Sequence, residues 1–148
     1  MNEAQRDQLL SIIENVNDMT IATVRDDGFP QATTVSFVSD GLKIYFATSA
    51  DSQKARNIEK NDKVSITLDC PYGSWEEIRS LSAAGHAVAV DDPDDIEKIW
   101  ALMLKKFPQA AGYETIVDTA VTIFRIDPVI FSLLDYSKEF GHTELVEV

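Results

Sequence analysis

The apolar positions of this chain follow two different periods, and these separate predicted helices from predicted strands. Across residues 2–16 apolar residues recur three or four positions apart, which predicts a packing helix. The same spacing recurs across residues 93–107, where Pro93 opens the segment, acids fill its first turn and bases its last. Both segments are therefore predicted to be amphipathic helices, and Trp100 is expected in the core because it lies on the apolar side of the second.

Between these helices the pattern changes to that of strands. Residues 19–48 are rich in threonine, valine, isoleucine and aromatic residues, and the turn compositions DDGFP and SDG divide them. A three-stranded antiparallel meander is the simplest arrangement of this segment. A helix of about two turns, capped by Asp51 or Ser52 and ending near Lys60, is predicted before a further strand in KVSITLD.

The second half of the chain predicts more strands. RSLSAAGHAVAVDD is expected to form a strand that bends or bulges at Gly85. Residues 119–136 predict two strand segments interrupted at Asp127 and Pro128, followed by a polar and aromatic tail. Because strands dominate and regular βαβ alternation is missing, the pattern favours a mainly β fold: a small β-barrel with peripheral helices, in a single domain spanning residues 1–148.

Composition narrows the classes of function. The 148 residues carry a formal net charge of −12, which disfavours nucleic acid and anionic membranes as partners. No apolar run approaches membrane-spanning length and the amphipathic start does not read as a signal peptide, so we expect a cytoplasmic protein. The single Cys70 cannot form an intramolecular disulfide, and His86 and His142 show no metal-ligand spacing, so no metal site is expected.

Residues 43–63 are the least acidic part of the chain. They hold five basic and three acidic side chains, a net charge of +2, whereas the remainder carries −14. Here a predicted strand ends in Thr48, and Ser52 and Lys54 lie at the start of the short helix. Hydroxyl groups, free amides at a helix N-terminus and an ammonium group suit a phosphate monoester. The residues alone leave two interpretations open, a phosphate cradle and a solvated helix face with ordinary ion pairs.

The order of residues adds a resemblance. The run IATVRDDGFPQATTVSFVSDGLKIYFATSADSQKARNIEKNDKVSITL resembles the flavin-binding core of the pyridoxamine 5′-phosphate oxidase-like split-barrel family. The shared features are the DG-x-P hairpin, the strand before SDG, the Thr-x-x-x-Ser-x-Lys-x-x-Asn-Ile pattern and the Val-Ser that follows. The similarity continues through Gly85 to the closing strands. It implies an FMN-binding split barrel that works as a homodimer, with FMN at the subunit interface.

The resemblance also implies three groups of cofactor-binding residues. The flavin phosphate would be held by Thr48, Ser52 and Lys54, with Ser49 and Arg56 as weaker candidates. The isoalloxazine and ribityl groups would be lined by Thr33, Thr34, Val35 and Ser36. Two residues near the family's dimer contact could reach the neighbour's flavin, Trp75 and Arg79, although Trp75 could equally be an ordinary loop anchor.

Departures from the family pattern argue against vitamin B6 oxidation. Gln53 stands where the true oxidases usually carry an arginine on the phosphate, and Thr33 replaces another basic residue. Each lost charge-assisted contact is worth about 1.5 to 3 kcal/mol. The tail LLDYSKEFGHTELVEV instead looks like the ending of a branch related to general stress proteins. Its Tyr136, Phe140 and His142 would either cover a flavin or substrate, or leave the two rings packed on the barrel and the histidine in solvent.

The expected function is therefore an FMN-dependent oxidoreductase that passes hydride or electrons to an unidentified small molecule. The same barrel could use the deazaflavin F420 or haem, although F420 would call for more basic residues along the groove. A flavin-storing or sensing protein without turnover, and a dimeric barrel without cofactor, are the remaining alternatives. His86, on an apolar strand, is interpreted as a hydrogen-bonded structural residue and not as a catalytic one.

Overall fold

A curled, mainly antiparallel sheet of eight strands organises the computed structural model, which describes residues 1–113 and 120–148. The helices are α1 Glu3–Asn15, α2 Gln53–Lys60 and α3 Pro93–Lys106, and single 3₁₀ segments lie at Trp75–Glu77 and Pro108–Tyr113. The strands are β1 Asp18–Val24, β2 Pro30–Ser36, β3 Val38–Asp40, β4 Lys43–Ser49, β5 Lys63–Asp69, β6 Arg79–Val90, β7 Val121–Asp135 and β8 Thr143–Glu147. The predicted mainly β class is confirmed.

Side-chain caps set where the three helices begin. Asn2 caps α1 through a capping box with Gln5, Ser52 caps α2, and Asp92 caps α3 immediately before Pro93. The choice between Asp51 and Ser52 is thus resolved in favour of Ser52. All three predicted helices are confirmed to within about two residues at each end.

The sheet runs in the order β2-β1-β5-β6-β7-β4-β3. β6 pairs with β7 along nearly the whole length of both strands. The other edge of β7 is shared, because β4 pairs with its first half and β8 with its second half. β7 therefore pairs with three strands, β6 on one edge and β4 and β8 on the other.

The pairing of β6 with β7 shifts register between Ala84 and Gly85, opposite Pro128. A Cβ at position 85 would lie 2.6 Å from the carbonyl oxygen of Asp127, so only glycine permits this close approach. The predicted bulge at Gly85 is confirmed. The expected interruption at Asp127 and Pro128 is wrong: β7 continues through both residues, and the register shift leaves Val129 of β7 as the extra residue beside them. Thr119, the first residue of the predicted segment, lies outside the described residues.

The predicted three-stranded meander is also corrected. β1 and β2 form a hairpin with Gly28 at a positive φ in its turn, and β3 and β4 form a second hairpin around Gly41. The middle strand, however, is divided at Phe37, and β4 pairs chiefly with β7. The tail, described from its sequence only as polar and aromatic, contains β8.

The core fills the curl of the sheet. Its largest fully buried side chains include Phe37, Phe46 and Phe131, and α1 closes one side with three buried residues, Leu9, Ile12 and Ile13. α3 is less buried than α1, because Ile99 is its one buried residue and Trp100 is only half-buried. The expectation that Trp100 belongs to the core is therefore wrong. Among the described residues, no helix is long and apolar enough to cross a membrane.

Candidate functional site

The sheet has a gap between β2 and the end of β4, beyond the β3–β4 hairpin, and we call this gap the split. The register of β3 on β4 would continue with Ser36 opposite Ala47, but the described pairing ends at Val38 and Tyr45. Beyond that point β2 pairs with β1 alone and β4 with β7 alone, within the residues the structure describes. The facing backbone groups of β2 and of residues 46–49 are thus left for water or for a ligand.

The N-terminus of α2 begins directly after β4, at one end of the split. The Ser52 hydroxyl accepts a hydrogen bond from the Ala55 amide at 3.1 Å, and the Thr48 hydroxyl lies 3.1 Å from the Ser52 hydroxyl. The amides of Gln53 and Lys54 have no partner among the described residues. Lys54 is half-buried and forms no ion pair with any described carboxylate. These groups together can receive an anion.

A chain of hydrogen bonds holds the first turn of α2 in place. Arg56 donates to the backbone oxygen of Asp51 and, at 2.9 Å, to Oε1 of Gln53. Gln53 in turn donates to Oδ1 of Asn57 at 2.8 Å. Arg56 and Gln53 therefore organise the loop and helix with groups that would otherwise be free for a ligand, and Asp51 stays exposed beyond the cap.

Asn57 connects α2 to β1 and β2. Its side-chain amide donates to Thr23 Oγ1 at 2.9 Å and to Gln31 Oε1 at 3.0 Å, and the residue is only 3% exposed. Neither Asn57 nor Gln31 was predicted to have a role, although Asn57 belongs to the Thr-x-x-x-Ser-x-Lys-x-x-Asn-Ile pattern. The sequence signal that could have identified Asn57 as a buried hydrogen-bonding residue is its place on the core-facing side of the helix, three residues after Lys54.

Thr33 carries an unpartnered buried group next to this junction. It lies on the same face of β2 as Gln31, and its Oγ1 is buried without a hydrogen-bond partner among the described residues. Val35 shares that half-buried face, whereas Thr34 and Ser36 are exposed on the other. A buried hydroxyl without a partner costs free energy, so a polar ligand group in the split would relieve it.

A cavity of about 290 Å³ lies between α3 and the sheet, at the other end of the split. Ala47 of β4 and Ile123 of β7, which pair with each other, line one side together with Ser36 at the end of β2. The opposite side is formed by α3 and the 3₁₀ segment that follows, including Trp100, Met103, Phe107 and Ala110. The split therefore has a polar end at α2 and an apolar end at α3.

Within this chain, Trp75 and Arg79 lie far from the other predicted site residues. Thr48 pairs with Thr122 near the start of β7, while Arg79 pairs with Asp135 at its end, thirteen residues along the strand. At about 3.3 Å per residue a straight strand of that length spans roughly 40 Å. Both side chains are exposed, and Trp75 contacts Phe140 with ring centroids 5.9 Å apart.

The tail and the histidines complete the set of candidates. Tyr136 is half-buried and Phe140 is 71% exposed, with 4.9 Å between their ring centroids. His142 is half-buried in a small crevice beside Arg79. His86 Nδ1 lies 3.0 Å from Asp62 Oδ2, an arrangement that matches the structural role expected for His86.

Comparison with known proteins gives matches over nearly the whole chain. Residues 5–133 match the family described as Pyridoxamine 5′-phosphate oxidase. General stress protein 26 of Bacillus subtilis (strain 168) is 28% identical over 137 residues, which cover 90% of this chain and 91% of that protein. These matches confirm the resemblance that the sequence motifs indicated.

Solved structures share the fold. General Stress Protein 26 from Bacillus anthracis str. Sterne superposes with a TM-score of 0.71 at 22% identity, over 97% of this chain and 98% of that one. A heme binding protein from Mycobacterium smegmatis gives a TM-score of 0.83 at 18% identity, over 99% of this chain and 59% of that longer one. The curled sheet with its split is therefore the split barrel that the resemblance implied.

Proposed function

The chain belongs to the pyridoxamine 5′-phosphate oxidase family, and on this basis we propose that it binds FMN in the split and acts as a flavin-dependent oxidoreductase. The observation that carries the proposal is the anion-receiving end of the split. Ser52, Lys54 and two helix amides without a described partner lie there, and Thr33 on β2 has a buried hydroxyl that also has no described partner.

The residues present fit FMN at both ends. Ser52 and Lys54, with Thr48 beside them, would hold the phosphate, while Ser49 at the exposed end of β4 is placed only to assist. Thr33, Thr34, Val35 and Ser36 would line the ribityl chain and the ring with their backbone groups, because that edge of β2 is unpaired among the described residues. A single lysine with neutral donors should hold a phosphate less tightly than several cations would.

Bound flavin supplies the hydride or electron transfer, and the protein supplies binding, orientation and electrostatics. The split would position the ring between two strands, and α3 would shield one end of it from water. Gln53, which stands where the oxidases carry an arginine, bonds to Arg56 and Asn57 instead of presenting a charge to a ligand. We therefore propose an oxidoreductase that does not oxidise pyridoxamine 5′-phosphate, in a cytoplasmic protein as the sequence predicts.

Haem is the second candidate, because the heme binding protein from Mycobacterium smegmatis shares this fold. Haem needs a protein ligand for its iron. The histidines lie away from the apolar cavity, since His86 is beside Asp62 and His142 beside Arg79. The anion-receiving end of the split favours FMN over haem. F420, a flavin carrier without turnover and a barrel without cofactor are further outcomes that the same titration distinguishes.

We propose that two subunits complete the site. Trp75 and Arg79 are exposed, and Arg79 pairs with the end of β7 that is distant from Thr48. Both residues could therefore reach a flavin only in a neighbouring subunit. A homodimer with FMN at its interface gives both residues a place beside the cofactor.

The test is titration of the purified full chain with FMN, F420 and haem, followed by absorption and flavin fluorescence. We expect FMN to bind with a micromolar or tighter dissociation constant. Lys54→Ala should weaken FMN binding about 10- to 100-fold, since a hydrogen bond to a charged group is worth about 1.5–3 kcal/mol. Lys105→Ala, which removes an exposed lysine from α3, is the matched control and should bind FMN as the parent does.

Failure of FMN to bind at micromolar concentrations overturns the proposal, and tight haem binding in its place selects the second candidate. Equal FMN affinity in the parent and in Lys54→Ala removes Lys54 from the site. Anaerobic addition of NADH or NADPH to the FMN complex then separates an enzyme from a carrier, because only an enzyme would bleach the flavin absorbance.

A further inference from the structure

We infer that the cavity beneath α3 binds a neutral, mainly apolar ring compound of about two fused rings, and that this is the substrate class of the site. The binding step stands on the cavity alone, while the role as substrate rests on the proposed function. Ser36 and Ala47 line the cavity and also border the split, so a molecule held there would lie next to the flavin ring.

The size of the cavity sets the size of the ligand. A dry cavity of about 150 Å³ lined by aliphatic and aromatic side chains holds one benzene ring. The cavity beneath α3 has about 290 Å³, which is nearly twice as much. A bicyclic compound therefore fills it, while a single ring would leave about half of it empty.

The chemistry of the lining sets the charge of the ligand. No charged side chain lines the cavity among the described residues, and its polar groups are confined to Ser36 and Gln109. Lys106 is close in sequence, but its ammonium donates to the backbone oxygens of Val16 at 2.8 Å and Phe37 at 2.9 Å. A phosphate dianion placed there would lose water without gaining a cation, which is costly. Phosphorylated substrates are therefore disfavoured in this cavity.

The apolar side of α3 is only partly buried against the sheet. Its apolar side carries Trp100, Met103 and Phe107, yet all three are only half-buried, and they line the cavity. An amphipathic helix normally buries such a stripe against the core. Ring contacts with Trp100 and Phe107 would complete that burial and orient the ligand.

The experiment uses Trp100 as a reporter in a full-length Trp75→Phe background without flavin, where Trp100 is the remaining tryptophan. The probe is 1-aminonaphthalene, a neutral two-ring compound whose emission shifts to the blue in apolar surroundings. We expect saturable binding with a blue shift and with quenching of Trp100. 1-Naphthol should displace the probe at least tenfold more effectively than 1-naphthyl phosphate, which has the same rings and a dianionic group.

Two matched variants localise the probe. Ala110→Leu adds three carbon atoms inside the cavity and should weaken probe binding at least tenfold. Ala101→Leu makes the same change on the exposed face of α3 and should leave binding unaltered. Absence of probe binding, equal displacement by the naphthyl phosphate, or unchanged affinity in Ala110→Leu would each overturn the inference.

FMN, titrated into the parent chain that keeps Trp75 while probe emission is followed, separates this inference from the proposed function. If FMN binds and leaves the probe in place, both stand. If FMN displaces the probe in direct competition, the cavity belongs to the flavin ring, and the inference fails while the proposed function survives. If FMN does not bind while the probe behaves as expected, the proposed function fails and the cavity remains a site for neutral ring compounds.

Discussion

Asn57 joins three elements with one side chain. Its amide group bonds to Thr23 of β1, Gln31 of β2 and Gln53 of α2, and it is almost fully buried. Removing it would leave the buried Thr23 hydroxyl and the Gln31 side chain without this partner. Because an orphaned buried polar group costs about 1–3 kcal/mol, this residue is expected to matter for stability and for the position of α2.

Asn57→Ala should lower the free energy of unfolding by about 2–4 kcal/mol, and it should weaken FMN binding because α2 carries the phosphate-binding groups. Urea unfolding followed by circular dichroism measures the first effect, and flavin titration the second. Asn15→Ala removes an exposed bond to the Ser11 backbone oxygen and serves as control. A loss no larger than that of the control would contradict the assigned role.

Lys106 carries an ammonium group into a half-buried position. Its Nζ bonds to two backbone oxygens and lies 3.7 Å from the centroid of the Phe37 ring. Burial lowers the pKa of Lys106 from 10.5 to about 8, and the charge of Asp18 opposes this shift. Between these two values the unfolded chain holds more protons than the folded one, so stability from this group rises with pH over that range.

The difference in unfolding free energy between the parent and Lys106→Met should therefore change in favour of the parent as pH rises from 8 to 10. Below about pH 7 the difference should be nearly constant, because the lysine is then almost fully protonated in both states. Urea unfolding at several pH values from 7 to 10 measures this, with Lys105→Met as an exposed control. A difference independent of pH throughout would refute the shifted titration.

What the sequence could predict at this scale depended on local chemistry. Ser52 as a cap, and Thr48, Ser52 and Lys54 as neighbours, follow from positions a few residues apart, and the structure brings them together. The bond from Asn57 to Gln31 spans 26 residues, and nothing in either local pattern specifies it. The Thr33 hydroxyl, which has no partner among the described residues, was equally beyond prediction, because its partners would come from distant parts of the chain.

At the scale of elements, periodicity identified helices and most strands but not strand partners. Alternation in residues 43–49 predicts a strand, yet its main partner, β7, lies more than 70 residues away in sequence. The break at Phe37 was missed because apolar residues occur on both sides of it, at Val35 and Val38. β8 was missed because it is short and buries a single side chain, Val146.

The bulge at Gly85 is the element-scale feature most open to a test. A methyl group there would meet the Asp127 carbonyl oxygen at 2.6 Å and Pro128 Cα at 3.0 Å, and both belong to backbone that cannot easily shift. Gly85→Ala should lower the free energy of unfolding by about 1–3 kcal/mol. Gly112→Ala is the matched control, because a Cβ added at position 112 would meet no non-adjacent described residue within 4 Å. Equal stability of the two variants in urea would show that the close approach carries no strain.

At the scale of the whole molecule, the proposed dimer makes two linked predictions. Light scattering should give twice the 16.5 kDa mass of the chain. Trp75→Ala should weaken FMN binding, although Trp75 is 64% exposed and distant from the phosphate-binding groups of its own subunit. Its near neighbour in sequence, Arg79, pairs with the far end of β7 from Thr122, the partner of Thr48. Tyr72→Ala, which removes another exposed aromatic ring from the same loop, is the control. A monomer that binds FMN, or unchanged affinity in Trp75→Ala, would exclude a shared site.

The shared edge of β7 has a consequence for how the chain reaches its fold. β4 and β6 each pair with β7 along one edge, and β7 lies more than 70 residues after β4 in the sequence. During synthesis, the strands near the N-terminus are complete long before their last neighbour leaves the ribosome. Contacts between distant segments form slowly because a long loop must first be closed. The sheet can therefore close only after β7 has left the ribosome, and until then β4 presents an unpaired edge on which chaperones or aggregation can act.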